Sequence, residues 1–94
     1  MQNGFYDNAI QSTLAASYVL ALKGEIITNS DITWKDNKII FRLGASKKMV
    51  VVLCDEDGVE ICNEDTRNSL RINISLSAPM KEMAEEIADA IIKV

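Results

Sequence analysis

The chain has 94 residues, of which 48% are apolar and 26% charged, with 14 acidic against 10 basic side chains and no histidine. That length holds one core, so a single domain over residues 1–94 is expected, and the balance of apolar and charged residues excludes wholesale disorder. A formal net charge of -4 disfavours non-specific binding to nucleic acid or anionic lipid, and the missing histidine removes the commonest general base and metal ligand.

Met1 to Asn8 contains Asp7 and no Lys or Arg, and the apolar run Leu14–Leu22 is too short to span a bilayer. A soluble, cytoplasmic protein without a membrane segment is expected. From Asp7 to Leu22, with Tyr6 just ahead, the residues Tyr6, Ile10, Leu14, Tyr18 and Leu22 recur every four positions, which is helical spacing. Lys23-Gly24 supplies the stop. Asn8–Leu22 carries no charge, so this helix is expected to be covered on more than one side, by the sheet and by a partner. Ile26 and Ile27 either begin a strand or pack back on the helix end.

Ile32–Leu43 reads as a hairpin. An Asp36-Asn37 turn of type I′ pairs Trp34 with Ile39 and Ile32 with Phe41, which gathers Ile32, Trp34, Ile39, Phe41 and Leu43 on one face. After a break at Gly44–Lys47 comes Met49–Leu53, an uninterrupted apolar run within a strand Lys48–Cys54. Such a run suits a central strand buried on both faces. Asp55–Gly58 makes a turn, Val59–Cys62 a strand with Glu60 outward, and Asn63–Ser69 a solvated loop. Leu70, Ile72, Ile74 and Leu76 alternate with polar residues, the clearest period of two in the chain. Ser77 is placed as an N-cap with Pro79 in the first turn. Met80, Met83, Ala84, Ile87, Ile91 and Val94 then form the apolar stripe of a second helix, opposite Lys81, Glu82, Glu85, Glu86, Asp89 and Lys93.

The element order predicts a two-layer α+β sandwich, α-β-β-β-β-β-α, with an antiparallel sheet of four or five strands and both helices on one face. In that arrangement Val50, Val52 and Cys54, joined by Ile40, are expected on the second face, where either the sheet curls around them or a second subunit or a target protein covers them.

Little in the sequence points to chemistry. A four-residue turn at Asp55–Gly58 sets Cys54 opposite Val59 and Cys62 opposite Val51, on opposite faces, as a two-residue Asp57-Gly58 turn also would; only a three-residue loop would set the two cysteines opposite each other, so both thiols are expected reduced and structural. Asp55-Glu56-Asp57-Gly58 resembles the start of a calcium loop, yet Leu53 stands where an EF-hand needs a carboxylate. No glycine-rich phosphate cradle is present. The expectation is no catalytic set, no metal and no cofactor.

Asp55, Glu56, Asp57, Glu60, Glu64 and Asp65 place six negative charges in eleven residues, whereas Lys35, Lys38, Arg42, Lys47 and Lys48 precede them. One reading is a solvated edge guarded against aggregation; the other is a surface that steers a basic partner. No family is identified from these residues. In size and charge alone the chain resembles small acidic α+β proteins of phages and mobile elements that inhibit host defence, anti-CRISPR proteins among them. The function expected is a non-catalytic protein that binds a larger protein and regulates or inhibits it. The alternatives are a self-associating structural subunit, as a homodimer, and an enzyme subunit using carboxylates or Lys47 and Lys48 on a phosphate.

Overall fold

The computed structural model describes residues 4–44, 47–75 and 77–94. Helix α1 (Gly4–Leu22) leads through a 3-10 turn (Asn29–Asp31) into β1 (Ile32–Lys35), β2 (Lys38–Leu43), β3 (Lys48–Cys54), β4 (Gly58–Asn63) and β5 (Ser69–Asn73), followed by helix α2 (Met80–Lys93). Each strand pairs antiparallel with its sequence neighbour, so the sheet is a five-stranded meander with β3 at its centre. Both helices pack on the same face of it and on each other. The fold is the expected α+β arrangement, with five strands.

The first hairpin has the predicted register, Ile32 opposite Phe41 and Trp34 opposite Ile39. Its turn departs from type I′, because the positive φ (56°) falls on Asp36 alone of the two turn residues. Asn37 instead ties the turn to the end of β3: its side-chain amide donates to the Cys54 carbonyl (2.9 Å) and its carbonyl accepts from the Cys54 amide (2.8 Å).

Helix α1 stops where Lys23-Gly24 predicts. Gly24 takes φ 77°, its amide donates to the Ala21 carbonyl and the Glu25 amide reaches back to Leu20, the paired bonds of a Schellman cap. Ile26 and Ile27 belong to no strand: Ile26 is buried and Ile27 points to solvent.

The buried face of α1 is not the predicted stripe. It consists of Ala9, Ser12, Thr13, Ala16 and Leu20 with Ile10 at its margin, whereas Tyr18 and Leu22 are 68% and 71% exposed. Each step of four residues turns about 400°, so a strict i, i+4 row drifts about 40° per step and roughly 120° from Ile10 to Leu22. The row therefore begins in the core and ends in water. The small residues that do face inward, with Ala84 and Ala88 buried on α2, permit close approach of the two helices.

Helix α2 buries Met83, Ala84, Ile87, Ala88, Ala90 and Ile91 and leaves its charged residues in water. Its N-cap is Pro79, not Ser77; Ser77 hydrogen-bonds Ser75 in the preceding turn, and Met80 is exposed. Strand β5 ends at Asn73, before Ile74, and Leu76 lies outside the described residues, as does the side chain of Tyr6. The far end of α2 is held by Lys48, whose ammonium donates to the Ile92 carbonyl (2.7 Å), and by Asn63, whose amide donates to the Val94 carbonyl (3.3 Å).

The core between the layers is built from alternate strand residues: Ile39 and Phe41 on β2, Val50, Val52 and Cys54 on β3, Val59 and Ile61 on β4, all fully buried. Each such side chain contributes about 1.5–3 kcal/mol relative to an exposed one. Here the structure corrects the expected second face. The four residues Gly44–Lys47 set Leu43 opposite Lys48, so Val50 and Val52 lie opposite Phe41 and Ile39. Val50, Val52 and Cys54 are therefore beneath the helices at 0% exposure, and of the four residues assigned to the second face only Ile40 is there.

Candidate functional site

Among the described residues no element covers the face of the sheet away from the helices. Strand alternation and register place three rows on it. The middle row runs Thr33, Ile40, Val51, Cys62 and Ser69, apolar in its three central members. A second row runs Lys35, Lys38, Leu53, Glu60 and Arg71. In the third, Arg42 lies opposite Met49, and Glu64 stands next in the alternation beyond Met49, its amide donating to the Met49 carbonyl (3.0 Å). Ile40, Met49, Val51 and Cys62 are half-buried, and Leu53 is exposed. Along β2 the outward residues read basic, apolar, basic; along β4 they are Glu60 and Cys62, with Glu64 in the turn directly after the strand.

Sequence reasoning missed Met49, Val51, Leu53 and Cys62 as residues of this face. The signal was present in the parity of the Gly44–Lys47 connection, since an even number of loop residues pairs its flanks and fixes the phase of an unpatterned strand. The same parity rule does hold for the cysteines: Cys54 faces Val59, Cys62 faces Val51, and both are free thiols on opposite faces. Burial pushes the Cys54 thiol pKa up, opposed by the Thr13 hydroxyl 3.7 Å from its sulfur.

The six acidic residues do not form one cluster. Asp55, Glu56 and Asp57 sit in the turn before β4, Glu64 and Asp65 in the turn after it, and Glu60 between them on the open face. Six strand residues separate the turns by roughly 20 Å. Nor is basic charge missing from them. Arg71 on β5 grips Asp55 with two hydrogen bonds, 2.7 Å and 2.8 Å, and lies 3.9 Å from Glu60. With the amides of Asp57 and Gly58, this holds the Asp55 carboxyl well below the usual range and raises the Arg71 pKa. Lys47 adjoins the end that carries Glu64 and Asp65, and Lys35 and Lys38 the other, so both ends of the sheet mix charges.

A second uncovered surface is the outer ridge of α1, where Gln11, Tyr18 and Leu22 face water with no charge among them; the apolar side chain of Ile27 is also exposed, in the segment that follows. Among the described residues no three His, Cys, Asp or Glu side chains converge as a set able to hold a metal ion. No helix among them is long and apolar enough to cross a membrane. No protein-family model matches the chain, and neither characterised proteins nor solved structures return a match.

Proposed function

We propose that this protein acts without catalysis of its own, as a small acidic protein that docks on a larger protein and regulates or inhibits it. The observation that carries this reading is the contrast between the two helices of one layer. The outer face of α2 holds Lys81, Glu82, Glu85, Glu86, Asp89 and Lys93, as a solvated helix should. From Asn8 to Leu22 the outer ridge of α1 holds no charge, and it exposes an aromatic and a leucine one turn apart, Tyr18 and Leu22. A tyrosine and a leucine so placed are suited to anchor a helix-sized apolar groove on a partner.

The charged turns serve a secondary role in this reading. Asp57, Glu64 and Asp65 are exposed, and they favour the approach of a basic surface without supplying the anchor. The size and charge shared with phage and mobile-element inhibitors of host defence make host-defence proteins the first partner class to assay.

The test is capture of a partner from the source cell, purification of that partner, and titration against wild type, Tyr18→Lys/Leu22→Lys and Glu64→Gln/Asp65→Asn. Loss of the ridge is expected to weaken affinity by roughly 30-fold or more, and loss of the acids by a few-fold in a salt-dependent manner. Equal affinity for the ridge variant and wild type would overturn the reading.

A further inference from the structure

We propose that the open sheet face is a homodimer interface, occupied by a second copy of this chain related by a two-fold axis running along β3. This surface lies on the opposite side of the molecule from the α1 ridge, so the inference stands or falls apart from the proposed function.

The basis is the charge pattern about β3. A two-fold axis along the central strand lays β2 of one copy over β4 of the other, and the reverse contact follows by symmetry. Lys38 then meets Glu60 of the second copy, and Arg42 meets Glu64. Between these pairs Ile40 meets Cys62, and Val51 meets its own counterpart. On the outer strands Thr33 meets Ser69, polar against polar. Lys35 is brought toward Arg71, whose charge is already taken up by Asp55, and sheet twist splays these outer strands apart.

The alternative axis is disfavoured by the same residues. An axis across the strands would set Lys38 against Arg42 and Glu60 against Glu64, like charge on like. Five strands at about 4.8 Å and six residues at about 3.3 Å give a face of roughly 24 by 20 Å, an upper limit of about 1,000 Å² buried between two copies once the splay of the outer strands is allowed for. That is near the lower limit for a specific interface, so a weak, concentration-dependent dimer is expected.

Sedimentation of the full chain tests this between about 5 µM and 500 µM, a range suited to an interface of that size. Wild type is expected to pass from 10.4 kDa toward twice that mass. Lys38→Glu/Arg42→Glu and Glu60→Lys/Glu64→Lys, each folded by its thermal melt, are expected to remain monomeric alone and to dimerise when mixed, because the mixed pair restores both opposite-charge contacts. Leu53→Lys, which brings two ammonium groups together near the axis, is expected to stay monomeric as well. Wild type that stays monomeric throughout, charge variants that dimerise like wild type, or a mixture that fails to associate would each overturn the proposal.

Discussion

The Lys47 ammonium lies 2.8 Å from the Asp31 carboxylate, joining the turn between β2 and β3 to the segment that enters β1. The other carboxylate oxygen of Asp31 accepts the amides of Ile27 and Thr28, at 3.1 Å and 3.2 Å. The Lys47 hydrogen bond first, and those two amides next, lower the Asp31 pKa from 3.8 to about 2. A carboxyl whose folded pKa is depressed stabilises the fold above its unfolded pKa and ceases to do so as pH falls through the folded value. Melting temperature followed from pH 6 to pH 2 is therefore expected to be lower for Asp31→Asn than for wild type at pH 6, the two curves converging near pH 2. Curves that run parallel would remove Asp31 from the acid sensitivity of the fold.

Gly58 opens β4 at a position where its neighbour strand leaves no room. A Cβ there would overlap the Ile72 carbonyl oxygen and lie 2.9 Å from the Asn73 Cα, both main-chain atoms that cannot move without breaking the β4–β5 pairing. Gly58→Ala is expected to cost about 3 kcal/mol, the upper part of the range for overpacking. Gly24→Ala meets open space and carries only the left-handed backbone term, about 1–2 kcal/mol. Urea denaturation midpoints should rank wild type, Gly24→Ala and Gly58→Ala in descending order; equal midpoints for the two variants would contradict the packing described for β5.

Arg71 on β5 reaches Asp55 in the turn before β4, and their pairing is the chief cause of the depressed Asp55 pKa. Carbon-detected NMR titration of the side-chain carboxyl should find Asp55 titrating well below the ordinary carboxylate range in wild type and closer to it in Arg71→Gln. Because the pair is exposed, the same substitution should change stability by less than about 1 kcal/mol. An unmoved Asp55 titration would mean that the two turn amides alone hold the carboxylate.

The thiols provide a test of the two sheet faces. Cys62 lies half-exposed on the open face and Cys54 is buried beneath the helices. A thiol reagent should modify Cys62 in the folded protein and Cys54 at least about 1,000-fold more slowly, since Cys54 becomes accessible only on opening at about 5 kcal/mol. The Cys62 rate should fall as protein concentration rises if the open face associates. Comparable rates for the two thiols would contradict the face assignment.

Much of this fold was legible where side-chain pattern and turn length agreed. The register of the Trp34–Ile39 hairpin, the opposed cysteines and the amphipathic α2 all follow from a period and a connection that fix each other. Met49–Leu53 offered no period, because five consecutive apolar residues look alike in either phase. Only the length of the preceding connection decides that Val50 and Val52 go inward and Met49, Val51 and Leu53 outward. The α1 stripe misled for a different reason, the drift of a four-residue step around a helix of 3.6 residues per turn. Arg71 was not assigned to the acidic turn because only the sheet brings β5 beside β4. The open face therefore remained hidden behind a single error of phase.

The claim that this protein docks on its partner through the outer ridge of α1 is tested most directly by hydrogen exchange on its complex with the captured, purified partner. Protection is expected over the second half of α1 and the segment through Ile27, with exchange in the Asp55–Asp57 and Glu64–Asp65 turns little changed. Protection confined to those turns, with α1 exchanging as in the free protein, would contradict it.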